Sequence, residues 1–95
     1  IDLVDNDNEK FFHSAWLCTA LVENRLGLEN KLKENNIESA QVHYRNDNYS
    51  IFSNYRTTSL DNMNDIEDKY IVLPLHSQVS LNDVDFICDI IKSGW

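Results

Sequence analysis

The ten residues His13-Ser-Ala-Trp-Leu-Cys-Thr-Ala-Leu-Val22 are apolar on both alternating sides: Trp16, Cys18, Ala20 and Val22 on one, Ala15, Leu17, Thr19 and Leu21 on the other. Successive side chains of an extended chain point to opposite faces, so a run with this pattern needs cover on both. That makes it a central, buried strand rather than an edge, and the rest of the chain has to supply its neighbours and its covering layers. With 95 residues in all, there is material for one domain. A chain of this size hides only about 60–65% of its unfolded surface, so the core is modest and leaves little room for an enclosed active site.

Glu23-Asn24-Arg25 ends the run, and Leu28 to Asn35 follows as a short helix with Leu28 and Leu32 on one face. Glu29 precedes Lys33 at the favourable i,i+4 spacing, and Asn35-Asn36 supplies a left-handed stop. Ile37 to Arg45 alternates strictly, with Ala40, Val42 and Tyr44 on one side and Gln41, His43 and Arg45 on the other, which predicts a half-buried second strand. Asn46-Asp47-Asn48 opens a turn or short helix reaching Phe52, and 53–61 reads as a loop. Asn64-Asp-Ile-Glu67 matches a capping box for another short helix. Tyr70-Ile-Val-Leu73 is a third strand closed by Pro74.

The last helix has the fullest set of signals. Ser80 stands as N-cap with Asp83 three positions on, Val79 and Val84 are placed for a hydrophobic staple, and Gly94 ends the helix. Val84, Ile87, Cys88 and Ile91 form its apolar stripe. Residues 1–12, rich in Asp and Asn and without periodicity, read as an incoming linker to a domain over 13–95. The expected fold class is α+β: a two-layer module with a small, about three-stranded, largely antiparallel sheet and helices mainly on one face.

Charge and composition remove several function classes. Sixteen acidic residues against eight Lys and Arg leave a formal charge of −8, unsuited to phosphate backbones or anionic membranes. Neither nucleic acid nor membrane is therefore an expected partner. No apolar run approaches the roughly 20 residues that span a bilayer, and the acidic start is unlike a secretory signal. Cys18 and Cys88 stand alone among apolar neighbours, which predicts free thiols and a reducing cytoplasm. The Ile start and the linker-like first residues suit a fragment of a longer chain.

His13, Cys18, His43, His76 and Cys88 include no Cys-x-x-Cys and no helical His pair, so no metal site is expected. The acidic clusters Asp65/Glu67/Asp68 and Asp83/Asp85 are simply first turns of helices. With Gly27 and Gly94 alone, there is no phosphate-cradling glycine loop. What remains is Ser39-Ala-Gln-Val-His-Tyr-Arg-Asn-Asp-Asn48, where a strand end would present His43, Tyr44 and Arg45. An Arg fork with phenol and imidazole donors beside it can hold an anionic or polyhydroxyl ligand. The alternative is structural: Tyr44 in the core, His43 bonded to backbone, and Arg45 neutralising part of the acid excess.

Gln41-Val-His-Tyr-Arg-Asn-Asp-Asn-Tyr-Ser-Ile-Phe52, Ile66-Glu-Asp-Lys-Tyr-Ile-Val-Leu-Pro-Leu-His76 and Val84-Asp-Phe-Ile-Cys-Asp-Ile-Ile-Lys92 together resemble the C-terminal end of the DegT/DnrJ/StrS sugar aminotransferases. The resemblance runs over residues 13–95 in matching order. It implies the small domain of an aspartate-aminotransferase-fold enzyme, one that uses pyridoxal phosphate to move an amino group from glutamate to a keto group on a nucleotide-linked sugar. It also implies a missing N-terminal large domain that carries the Schiff-base lysine, since none of Lys10, Lys31, Lys33, Lys69 and Lys92 stands in a segment like that site. The small domain would help close the cleft, and a homodimer or other self-association is implied. His43, Tyr44 and Arg45 would lie near the sugar nucleotide, with His76 a lesser substrate contact. No catalytic, metal or cofactor-binding residue is expected in this chain, and alone it should not transaminate. The readings from other classes are a free-standing binding, regulatory or protein-interaction module and a purely structural acidic adaptor.

Overall fold

A computed structural model of the chain describes residues 1–4, 10, 12, 14, 16–56 and 59–95, so His13 and Ala15 of the opening apolar run lie outside the described residues. Within it, Asp2–Leu3 (β1), Cys18–Leu21 (β2) and Tyr70–Leu73 (β3) form an antiparallel sheet in the order β1-β2-β3. The helices are Arg25–Glu34 (α1), Asp61–Ile66 (α2) and Leu81–Lys92 (α3), with 3-10 stretches at Asn46–Asn48 and Ser50–Tyr55. The expected central strand is central. Ala20 of β2 faces Leu3 on one side and Ile71 on the other.

The third strand is not the expected one. Ile37–Arg45 contributes a single bridge, in which Ala40 and Val72 exchange backbone bonds of 3.4 and 2.9 Å. Beyond Ala40 the apolar side of the alternation is largely open: Val42 and Tyr44 are 45% and 66% exposed. Gln41 and Arg45, on the polar side of the alternation, hydrogen-bond to Glu67 just after α2. A strand needs both a ladder and a covered face, and among the described residues this segment has one rung and little cover.

The missing strand comes from the stretch expected to hold no element. Asp2 pairs with Leu21 and Leu3 with Ala20, and the Val4 N–H continues the ladder to the Thr19 carbonyl at 2.9 Å. Two residues are too few for side-chain periodicity to signal, since ladder bonds involve only backbone.

α1 begins three residues before the expected Leu28. Asn24 takes the left-handed conformation (φ 51°) and its side chain accepts the Gly27 N–H at 3.3 Å, capping the helix. A Cβ at residue 27 would collide with the Asn24 side chain, so the cap depends on that glycine. At the other end Asn36 is left-handed (φ 58°), as expected of the Asn pair. Glu29 pairs with Arg25 at 3.0 Å rather than with Lys33. α2 starts at Asp61, and the expected capping box at Asn64–Glu67 does not form. The side chains of both Asn64 and Glu67 accept from Arg45 instead.

α3 follows its signals closely. The Ser80 hydroxyl accepts the Asp83 N–H at 3.2 Å, the Asp83 carboxylate accepts the Ser80 N–H at 2.8 Å, and Gly94 (φ 83°) lies just past the end. With α1, it covers one face of the sheet. Ala20, Val22, Leu28, Leu32, Ile37 and Ile71 form the buried core, and Leu73, Ile87, Ile90 and Ile91 pack against it. Full burial of a leucine or isoleucine such as Leu28, Leu32 or Ile71 contributes about 1.5–3 kcal/mol. The architecture is α+β with a three-stranded antiparallel sheet, and no helix among the described residues is long and apolar enough to cross a membrane.

Candidate functional site

The expected site residues divide between two places. His43, Tyr44 and Arg45 lie on the segment that leaves β3's edge after the Ala40 bridge. His76 follows the end of β3, past Pro74 and Leu75. His76 lines an open cavity of about 490 Å³, with Asn36, Ser39, Val42, Pro74, Asp83 and Phe86 among the other walls. Val42 is the cavity's last residue on that segment; His43, Tyr44 and Arg45 do not line it. His76 Nδ1 accepts the Gln78 N–H at 3.2 Å, so its Nδ1 is an acceptor engaged within its own turn.

His43 and Tyr44 are exposed, and Tyr44 is therefore not core. The His43 imidazole lies against the Trp16 indole with ring centroids 5.7 Å apart and planes tilted by 50°. Sequence reasoning missed this contact. Trp16 belongs to the run that reads as buried strand, yet it stands before β2 and is 71% exposed.

Arg45 is the most heavily engaged side chain of the segment. Its Nε and Nη2 donate to the two carboxylate oxygens of Asp47 at 2.8 and 2.7 Å, and Nη1 donates to Asn64 Oδ1 at 2.8 Å and Glu67 Oε2 at 2.9 Å. A fork expected to be open to an anionic ligand is thus already filled by two carboxylates and an amide. Its side chain is 11% exposed. The ion pairing raises the Arg45 pKa further above its ordinary value, chiefly through the bonds to Asp47 and then Glu67. In return the guanidinium holds the Asp47 carboxyl below the usual carboxylate range. Arg56 adds a second clasp, donating to the Asp47 carbonyl at 2.6 Å and the Asn48 carbonyl at 3.1 Å. Asp47 belongs to the quoted segment, but the partners at 56, 64 and 67 have no local pattern that could reveal them.

A second, apolar groove runs along α3, lined by Leu3, Cys18, Leu73, Val84, Ile87 and Cys88 among others. Both cysteines are free. Burial, and then the neighbouring Cys88, pushes the Cys18 thiol up from its ordinary value, which keeps it protonated and unreactive. Among the described residues, no three His, Cys, Asp or Glu side chains gather as a metal ion would need.

Pyridoxal phosphate, which the sequence resemblance implies, needs a lysine for its carbonyl carbon together with an acid for the ring nitrogen and donors for the phosphate. Lys69 is committed to Glu23 at 3.0 Å, and Lys92 borders an apolar groove without a phosphate cradle. The described residues of this chain do not by themselves fit that cofactor.

Comparison with known proteins places this geometry. The family model for the DegT/DnrJ/EryC1/StrS aminotransferases matches residues 2–92. The sugar aminotransferase CalS13 from Micromonospora echinospora superposes on all of this chain with a TM-score of 0.89 and 25% sequence identity. AtS13 from Actinomadura melliaura superposes on 83% of it with a TM-score of 0.77 and 26% identity. The chain spans only 26% and 21% of those two proteins. No curated protein sequence matches it. With a family model matching almost its whole length, the chain belongs to the DegT/DnrJ/EryC1/StrS aminotransferase family.

Proposed function

We propose that this chain is the small-domain part of a sugar aminotransferase whose substrate is a nucleotide-linked keto sugar, and that it forms one wall of the substrate cleft. The observation that carries this is the superposition on a sugar aminotransferase over the chain's full length at a TM-score of 0.89. That the superposition accounts for about a quarter of the larger protein supports a reading in which the cofactor and its lysine lie in a large domain outside these residues. Pyridoxal phosphate would supply the electron sink for amino transfer there. The module takes in the edge strand Asp2–Leu3 as well as the expected 13–95, and its surroundings are cytoplasmic.

In this proposal His43 and Tyr44 face the sugar nucleotide. Both are exposed and can offer imidazole and phenol hydrogen bonds. Arg45 lies in the same turn with its fork taken by Asp47, Asn64 and Glu67, so it orders the turn, and His76 contributes from the neighbouring cavity. The exposed Tyr49, Ile51, Phe52 and Tyr55 beyond the turn suit burial against the large domain or a second subunit.

Titration of the isotopically labelled chain with thymidine diphosphate and uridine diphosphate sugars tests the site. Shifts clustered at 42–45 and at His76 are expected, and no change there, or changes elsewhere only, overturns the assignment. The isolated chain, supplied with pyridoxal phosphate, glutamate and a nucleotide keto sugar, is expected to give no amino transfer above background. A measurable rate would refute the placement of the chemistry in the missing domain.

A further inference from the structure

We propose that Arg45 and Glu67 are positioning residues that fasten the segment 41–48 from both ends and thereby set where His43 and Tyr44 point. The inference rests on the reading that those two side chains face the substrate; it adds Glu67 and gives Arg45 a positioning role in place of a ligand contact.

The segment needs such a fastener because, among the described residues, it has no strand ladder beyond Ala40. The ladder to β3 stops at Ala40, and the Tyr49 N–H closes the 3-10 turn at the far end by donating to the Asn46 carbonyl at 3.1 Å. Between them, side chains take over. Gln41 Nε2 donates to the Glu67 carbonyl at 3.0 Å at the near end. At the far end Arg45 Nη1 donates to Glu67 Oε2 at 2.9 Å, and Asn48 Nδ2 reaches Glu67 Oε1 at 3.5 Å. One residue, 19 to 26 positions away in the chain, therefore holds both ends.

The far end is the stronger one. Arg45 meets Asp47 through two parallel charge-assisted bonds, the arrangement that restricts a guanidinium most in direction. Asn64 Oδ1 takes a further bond, which ties the turn to α2, and Arg56 grips the carbonyls of Asp47 and Asn48. Val42, His43 and Tyr44 lie between the two ends, exposed, and His43 rests on Trp16. A side chain on an otherwise unladdered stretch keeps a fixed direction only while its flanks are held.

The test is nuclear magnetic resonance of the ligand-free 95-residue chain, read at the His43–Trp16 contact and in backbone order parameters of 42–48. In the unaltered chain a cross-relaxation signal between the two rings is expected, with order parameters near about 0.85. Arg45→Met and Glu67→Ala are expected to lose that signal and to drop the segment below about 0.6, while β2, β3 and α3 keep their order. Glu67→Gln retains an acceptor oxygen for Arg45 and is expected to restore the contact. Retention of the ring contact and of order in both Arg45→Met and Glu67→Ala overturns the proposal. So does loss of order throughout the sheet in Glu67→Ala, which would make the cluster a general stability element. Substrate contact is tested separately: an arm that loosens in the variants while thymidine diphosphate sugars never shift 42–45 leaves the fastener intact and sinks the substrate reading.

Discussion

Leu32 is fully buried between α1 and the sheet, with no polar atom to satisfy and no solvent to refill its volume. Leu32→Ala is expected to cost about 2–5 kcal/mol in a urea unfolding measurement, since transfer and cavity costs add. Gly27→Ala is a finer case. Alanine favours a helix interior by about 1 kcal/mol over glycine, but its Cβ would displace the Asn24 side chain from the cap. The two effects are of similar size, so the unfolding midpoint is expected to stay nearly unchanged; a gain of the full propensity term would show that the cap contributes nothing. Cys18, half-buried with its thiol pKa raised, should alkylate far more slowly at pH 8 in the folded chain than in urea, as mass spectrometry can follow. The residue scale is also where sequence reasoning reads Arg45 least well. Its type suggests an anion site, but the acceptors that occupy it are brought in from as far as position 67.

Among the elements, α3 carries a testable pH dependence. The bonds from the Ser80 hydroxyl and then the Ser80 N–H hold the Asp83 carboxyl below its ordinary value. A carboxylate whose folded pKa is depressed stabilises the fold above its unfolded pKa of about 3.9, and that share is lost as pH falls through the lower folded value. Asp47, held down chiefly by Arg45, acts with the same sign. Unfolding free energy should therefore be level in this respect above about pH 5 and decline below it. Ser80→Ala should cost about 1 kcal/mol at pH 7 and show a shallower acid decline. A variant that declines as steeply as the unaltered chain would count against the cap. α3 was legible because its cap, stripe and stop lie within fifteen consecutive residues, 80–94. The 37–45 segment was misread because alternation reports only what a strand would present, not whether a ladder partner and a covering layer exist.

At the scale of the whole molecule, the sheet depends on a two-residue edge. β1 closes the outer edge of β2, and Ile1 and Leu3 also line the apolar groove beside α3. Removal of residues 1–4 should therefore leave the backbone groups of β2 unpaired and the groove more open. Lower unfolding free energy and concentration-dependent association in sedimentation are the expected results; an unchanged monomer of unchanged stability would show that β1 is dispensable. Family membership was also legible at this scale, because the order and spacing of three segments survive at about 25% identity to a solved relative. What the sequence determined by itself was therefore local or patterned: the central strand, both ends of α3, the left-handed Asn36, the acidic balance and the family. The tertiary structure decided which backbone completes the sheet, which way the 41–45 alternation faces, and that Arg45 is filled by Asp47, Asn64 and Glu67. Periodicity and caps are encoded within a few residues, whereas ladder partners and charge partners are fixed only when distant segments compete for the same edge or the same guanidinium.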